Sequence, residues 1–373
     1  MKIAIVHDEL IRRGGGEQVA LCFHYAFPEA PIYTIAYRPE LTYEGFKKCQ
    51  IITSWFQRVA FNEKILKLFF FPIGFWAMRQ LDVTKYDVIL MSSTYCAKYV
   101  KIGKRSLVIN YCHSPFRLAW YPESYKEYLK ANMFKKKAFD EVIKLLRKID
   151  YQSALRTDHF VANAKEMAEK IRNVYHPTHE VTVINPPVNC QSFYISKEIN
   201  DYFLVVCRLE YYKRVDIVIN AFNQLNLPLV IVGKGSQEKS LKKKANKNII
   251  FKSSVSSEEL ATLMSKCKAL IFPQHEDYGI TTLEANASGR PVIAYSQGGV
   301  LETMIPYTGK SNDYTAVFFN DQTKESLIEA ITKFQLLAVN SEFIRSHALK
   351  FDEPVFIEKI LNFVKTKIHK ISD

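Results

Sequence analysis

Phe272-Pro-Gln-His-Glu-Asp-Tyr-Gly-Ile-Thr-Thr-Leu-Glu-Ala-Asn-Ala-Ser-Gly-Arg-Pro-Val292 sets a strand end, a polar loop and a short helix in series. The apolar run 269–272 predicts a buried strand, and a helix is expected from near Thr281 to Gly289. Gly279, between them, lets the backbone approach a ligand closely. The amides of Ile280, Thr281 and Thr282 would point outward with the positive end of the helix dipole behind them, which suits an anion such as phosphate. Glu276 precedes the helix and Glu284 lies about one turn inside it. Glu284 can therefore reach past a phosphate while Glu276 faces a cleft, and carboxylates accept several hydrogen bonds from sugar hydroxyls. An acidic first turn is common in ordinary helices, so the two glutamates by themselves decide nothing.

Outward from this stretch, short apolar runs recur at 3–6, 88–91, 106–110, 159–162, 181–184, 203–207, 229–232, 248–251, 269–272 and 291–294. They are nearly all apolar rather than alternating, as strands buried on both faces are. Helix-like segments at 16–26, 165–174, 215–224, 257–267, 282–288 and 324–337 lie between many of them. Strand–helix alternation predicts an α/β protein with parallel sheets. The pattern starts twice, near residues 3–18 and again near 203–223. Between the two starts, Pro186-Pro187-Val188 blocks regular helix and suits a linker. Two doubly wound domains are expected, with a hinge near 184–200 and ligands at the strand carboxyl ends of a cleft.

A chain of 373 residues with 48% hydrophobic and 24% charged residues is ordinary globular material and excludes disorder. Its seven cysteines (Cys22, Cys49, Cys96, Cys112, Cys190, Cys207, Cys267) form no C-x-x-C pair, which argues against a disulfide framework or zinc finger and for a reducing compartment. The chain opens directly on a strand pattern, so no signal peptide is expected. The most apolar window, 68–78, is too short and too rich in Pro and Gly to span a membrane. The net charge is +13; residues 1–185 hold 28 Lys and Arg against 18 Asp and Glu. That half implies an anionic partner, whether nucleic acid, phospholipid or a phosphorylated substrate. Segment 125–150 is dense in lysine, with Leu129, Phe134, Ala138, Val142, Leu145 and Leu146 as an apolar face. It reads as a solvated helix or as a membrane-surface helix.

Three further constellations sit at strand ends. Arg208-Leu-Glu-Tyr-Tyr-Lys-Arg214 places Arg208 and Lys213 where two cations would meet a pyrophosphate. Gly14-Gly15-Gly16-Glu17 follows the first strand and precedes a helix, though it is neither a G-x-G-x-x-G nor a Walker loop. Tyr111-Cys-His-Ser-Pro-Phe-Arg-Leu-Ala-Trp120 puts His113 at another strand end. Seen singly, the first is as readily a surface basic loop, the second favours a turn, and a lone histidine is more often structural than catalytic.

Together these residues resemble the retaining glycosyltransferases of family 4, which have the GT-B fold of two doubly wound Rossmann-like domains facing a cleft. The resemblance rests on Glu276 to Glu284, Arg208 with Lys213-Arg214, the glycine triplet, Pro186-Pro187-Val188 and Gly298-Gly299-Val300-Leu301-Glu302. The stretch around His113 looks like the mannosyltransferases that build bacterial O-antigen and related surface polysaccharides. The implied organisation is an acceptor-binding domain at 1–185, a nucleotide-sugar-binding domain at 186–352, and a terminal helix at 353–373 that crosses back.

The resemblance also implies roles. Glu276 would contact the donor sugar and Glu284 the ribose. Arg208 and Lys213 would neutralise the pyrophosphate, helped by the amides of Ile280 and Thr281 after Gly279. Gly15 and Gly16 would let their loop close over the phosphates. Val255 would lie near the base, although Ser253 stands where the family often has Gly. His113 would align the acceptor or assist proton transfer. The implied reaction moves a sugar, mannose from GDP-mannose, onto a glycan or lipid-linked acceptor with retained configuration. The implied setting is cytoplasmic, peripheral at the inner face of the membrane, with an anionic membrane surface as partner and neither metal, cofactor nor nucleic acid. A nucleotide-sugar epimerase or hydrolase of the same fold and a non-catalytic carbohydrate-binding protein are the alternatives.

Overall fold

The computed structural model describes residues 1–58 and 69–372, so Leu68 of the apolar window lies outside the described residues. The chain forms two compact units, Met1–Pro187 with Phe356–Asp373, and Val188–Val355.

In the first unit, β1 (Ile3–His7), β2 (Ile32–Thr34), β3 (Ile51–Thr53), β4 (Val88–Ser93), β5 (Leu107–Cys112), β6 (His159–Ala162) and β7 (Thr182–Val183) form one parallel sheet. Its order is β3-β2-β1-β4-β5-β6-β7, so the winding reverses between β1 and β4. β4 and β5 are buried along their whole length, which is why they carry no alternation. Helix Gly15–Ala26 covers one face through Val19, Leu21 and Phe23. The last helix, Glu353–Ser372, brings Phe356, Ile360 and Val364 into the same core. The Phe356 ring lies 6.2 Å from that of Phe23 and 5.8 Å from that of Tyr111.

On the other face, helix Met133–Ala154 turns Ile143, Leu146, Asp150 and Ala154 inward. Leu146 is therefore core, and it does not share the exposed face of Phe134, Val142 and Leu145 with which the sequence grouped it. Asp150 is fully buried and is paired with the equally buried Lys98 at 2.8 Å. Its carboxylate also accepts from Tyr99 (3.0 Å), Trp120 (2.8 Å) and Tyr175 (2.7 Å). Lys98 in turn donates to the Tyr175 hydroxyl at 2.7 Å. Two desolvated charges are tolerable here because every strong donor around them has an acceptor.

In the second unit, β8 (Phe203–Val206), β9 (Leu229–Val232), β10 (Ile249–Lys252), β11 (Leu270–Phe272), β12 (Val292–Tyr295) and β13 (Ala316–Phe319) form a parallel sheet in the order β10-β9-β8-β11-β12-β13. The winding reverses between β8 and β11. Phe203, Phe222 and Phe334 join the sheet to helices Val215–Leu225 and Lys324–Phe334, with ring centroids 5.4 and 6.0 Å apart. The expected fold is present: two Rossmann-like sheets, each doubly wound. β2, β3 and β13 were not anticipated. The first two are three residues long, too short to carry a pattern.

Asp150→Ala should lower stability by about 3–5 kcal/mol, because it leaves the Lys98 ammonium buried and unpaired. A fall in the denaturant midpoint checks this. Converting Lys98 to Met in the same chain should recover part of the loss.

Candidate active site

The loops after β8, β9 and β10 and the start of helix Ile280–Ala287 enclose a pocket of about 480 Å³ in the second unit. It lies at the strand carboxyl ends beside the point where the winding reverses, where open α/β sheets place their ligands. Arg208 and Thr281 line it, together with Gly233, Lys234, Ser253 and Ser254. The last four were not singled out in the sequence as lining residues. Val232-Gly233-Lys234-Gly235-Ser236, a glycine loop directly after a strand, was the available signal. Gly233 sits at φ +150°, and a Cβ there would overlap the Cys207 carbonyl; one on Gly235 would overlap that of Leu209. These two glycines let the loop after β9 lie flat on the loop after β8. Glu210 ties them together by accepting from the Ser236 amide (3.1 Å) and hydroxyl (2.6 Å).

Lys213 ends a 3-10 turn, Tyr211–Lys213, and Arg214 follows in the left-handed conformation at φ 52°. That turn buries Lys213 and sets its ammonium against the Glu276 carboxylate. Gln274 also donates to Glu276, at 3.2 Å. Glu276 is thus held by one cation and one amide. Arg208 is exposed, and its guanidinium donates to the Tyr212 hydroxyl at 3.1 Å. Gln322, unremarked in the sequence, accepts from Arg214 (3.2 Å) and donates to the Pro273 carbonyl (2.8 Å), which clamps the loops after β8 and β11 together. From the other side, Gly298 and Gly299 lie so close to residues 275–278 that any Cβ would overlap their backbone, and the Gly299 amide donates to the Glu276 carbonyl at 2.9 Å.

Gly279 caps the helix in the left-handed region at φ 84°. Its carbonyl takes both the amide (3.0 Å) and the hydroxyl (2.7 Å) of Thr282. The Thr282 amide is therefore engaged, contrary to expectation, and among the described residues the open amides are those of Ile280 and Thr281. Ile280, Thr281 and Glu284 are only partly buried, whereas Thr282, Leu283 and Ala285 are fully so; the three share the open face at helical spacing. The Glu284 carboxyl has no hydrogen-bond or ion-pair partner among the described residues, and burial pushes it up to about 7. Val255 is half-buried and packs against the core that holds Val230, Leu270 and Phe272.

In the first unit, Gly15 opens helix Gly15–Ala26 and Gly16 lies beside two histidines. A Cβ on Gly16 would stand 3.6 Å from both His113 Nε2 and His7 Cε1. The His7 Nδ1 lies 3.1 Å from the Ser92 carbonyl, an obligatory acceptor, so Nδ1 carries the proton and also faces the Ser92 hydroxyl at 3.0 Å. That hydroxyl lies 2.8 Å from His113 Nε2 and 3.5 Å from the Gly16 carbonyl. Burial, and next the His7 ring, lower the His113 pKa to about 3, with Asp8 opposing. Asp8 itself accepts the amides of Thr94, Tyr95, Cys96 and Ala97 at 2.5–3.1 Å, which fixes the loop after β4. Neither His7, Asp8 nor Ser92 was singled out in the sequence; each is an ordinary strand-end residue until the sheet aligns β1, β4 and β5.

The Glu284 shift has a pH signature. Between its ordinary 4.5 and about 7, the folded chain keeps a proton that the unfolded chain has lost, so stability falls as pH rises through that window. Glu284→Gln should therefore raise Tm by a few degrees at about pH 8, and the gain should vanish by about pH 4. Calorimetric scans of both proteins across that range check it.

Residues 194–341 match the family described as Glycosyl transferases group 1. The O-antigen chain mannosyltransferase C of Escherichia coli is 33% identical over 106 residues, 26% of this chain and 29% of that protein. The alpha-1,3/1,6-mannosyltransferase ALG2 of Dictyostelium discoideum is 25% identical over 267 residues, 59% of this chain and 62% of that protein. The matches thus span less than two thirds of these relatives' own length. Among solved structures, Anabaena Alr3699/HepE in complex with UDP superposes with a TM-score of 0.70 at 15% identity, over 98% of this chain and 100% of that one. The pocket, the Lys213–Glu276 pair and the Gly279 helix start all lie inside the residues that match the glycosyl transferases group 1 family, and the fold that carries them is GT-B.

Proposed function

We propose that the protein is a retaining glycosyltransferase that transfers mannose from GDP-mannose to a hydroxyl of a glycan or lipid-linked acceptor in the synthesis of a cell-surface polysaccharide. The observation that carries the reading is the cluster at the carboxyl ends of β8 and β11. There Arg208, Lys213 and the Ile280 and Thr281 amides supply positive charge beside the Glu276 and Glu284 carboxylates. The mannosyltransferases among the relatives favour mannose as the sugar.

In the reaction the anomeric carbon–phosphate oxygen bond breaks and its electrons pass to the leaving diphosphate. The acceptor oxygen bonds to the same carbon on the same face, and its proton goes to the leaving phosphate. Charge grows on the diphosphate as that bond breaks, so preorganised cations and amides stabilise the transition state more than the bound donor. Lys213 is shared between the Glu276 carboxylate and the diphosphate. Glu276 accepts from sugar hydroxyls. Glu284, with no partner of its own, accepts from the ribose. Gly15 and Gly16 leave room for phosphate beside their helix start, and Val255 packs against the base. His113, kept neutral by burial, aligns the acceptor or assists proton transfer.

The acceptor is proposed to be met at an anionic membrane surface on the inner face of the cell membrane. Among the described residues no helix is long and apolar enough to cross a membrane. Helix Met133–Ala154 nevertheless exposes Met133 (80%), Phe134 (82%), Val142 and Leu145 alongside Lys135, Lys136 and Lys137. Each lysine near an anionic surface contributes ~1 kcal/mol, screened as the Debye length shrinks to ~3 Å at 1 M salt.

Release of GDP from GDP-mannose with and without an acceptor extract tests the central reading. Transfer requires acceptor-dependent release, whereas an epimerase or hydrolase needs no acceptor. Equal or faster turnover of UDP-glucose would overturn the choice of donor. Arg208→Ala should cost ~10²–10³ in kcat with folding unchanged. Glu276→Ala should lose turnover and still bind GDP, while Glu284→Ala should weaken GDP as well. Activity should survive EDTA. The protein should sediment with anionic vesicles at low salt and leave them at high salt, and replacing Lys135, Lys136 and Lys137 by Glu should weaken that binding while leaving GDP binding intact.

A further inference from the structure

A second pocket, of about 220 Å³, lies in the first unit, lined from helix Phe75–Gln80 and from the last turns of helix Met133–Ala154. Arg79 and Arg156 both line it, with Gln152 and Ser153, and no carboxylate lines it among the described residues. Arg156 is pinned by donating to the carbonyls of Lys98 and Val100, which fix its guanidinium without neutralising it. Arg79 has no hydrogen-bond or ion-pair partner among the described residues; its guanidinium lies 5.5 Å from the Phe75 ring centre. Burial, and next the charge of Arg79, hold the Arg156 guanidinium below its usual range. Asp150 cannot relieve this repulsion, because its oxygens are already engaged by Lys98, Tyr99, Trp120 and Tyr175.

We infer that this pocket binds a phosphate group through Arg79 and Arg156. Two guanidiniums give a planar, multidentate donor set that matches phosphate oxygens better than a lone ammonium would. The Gln152 amide adds a further donor at the rim. An arriving dianion replaces cation–cation repulsion with two attractions, so the gain exceeds that of an ordinary surface arginine. The phosphate has two possible sources. One is a free phosphate or phosphate monoester. The other is a phospholipid headgroup, because Ile73 and Trp76 are exposed on the segment that carries Phe75 and Arg79, and Trp55 is exposed with its ring 5.4 Å from that of Trp76. The pocket shares no lining residue with those assigned to the sugar donor, and the inference does not rest on that assignment.

The test uses the full chain with two variants, Arg79→Ala, which removes a side chain without hydrogen bonds, and Gln152→Glu, which places an acid at an exposed position in the pocket. Inorganic phosphate is titrated by calorimetry, and sedimentation is measured with phosphatidylcholine vesicles with and without phosphatidic acid. Each variant should weaken phosphate binding by about tenfold or more, as expected for loss of charge-assisted hydrogen bonds. Loss in the calorimetric arm identifies free phosphate as the ligand; loss confined to phosphatidic acid vesicles identifies the lipid headgroup. No binding by the parent in either arm, or equal binding by parent and variants in both, overturns the inference. GDP binding measured on the same samples should be unchanged in both variants. If the parent fails to bind GDP, the proposed donor site falls and the phosphate pocket does not.

Discussion

A parallel sheet covered on both faces admits few polar side chains along its strands, and this constraint shapes both units. β4 and β5 are buried at every residue, and so is most of β8. Polar chemistry is pushed to the strand ends, where backbone amides and carbonyls run out of ladder partners. At the carboxyl ends the loops diverge most where the winding reverses, between β1 and β4 in one sheet and between β8 and β11 in the other. His7, Ser92 and Gly16 cluster at the first of these points, and Arg208, Lys213 and Glu276 gather at the second.

Holding charges at such points requires that each be answered locally. Asp8 is answered by four consecutive amides of the loop after β4, Asp150 by Lys98 and three ring donors, and Glu276 by Lys213 and Gln274. Glu284, Arg79 and Arg156 break the pattern. A carboxyl pushed up to about 7 without a partner, and two guanidiniums sharing a pocket without an acid, are both costly in the folded chain alone. In proteins such uncompensated groups are concentrated at binding sites, which is the physical link between the proposed donor site and the proposed phosphate pocket.

Close backbone packing is the second device. Gly233 and Gly235 on one side and Gly298 and Gly299 on the other let neighbouring loops touch backbone to backbone. Gln322 then joins the loop after β8 to the loop after β11 through Arg214 and the Pro273 carbonyl. The result is a rigid rim around the pocket made from residues more than a hundred positions apart.

Buried parallel strands leave a strong sequence signal, so the α/β class, the two winding starts and most strands were legible from apolar runs alone. So were the strand, glycine and helix start that carry Glu276, Gly279 and Glu284, because these elements are consecutive in the chain. β2 and β3 were not legible, being three residues each and stabilised by their neighbours rather than by their own pattern. Nor was Leu146, whose side was decided by helical phase against Ile143 and Asp150. Gln274, Gln322, His7, Ser92, Arg79 and Arg156 acquire meaning only when separate strands and helices are brought together. The sequence by itself determined which segments bury and which strand ends carry charge, since those depend on near neighbours in the chain. Which charges find partners, which groups each histidine faces and which arginines are left to face one another were decided by tertiary structure alone, because pairing depends on distances that the order of residues does not contain.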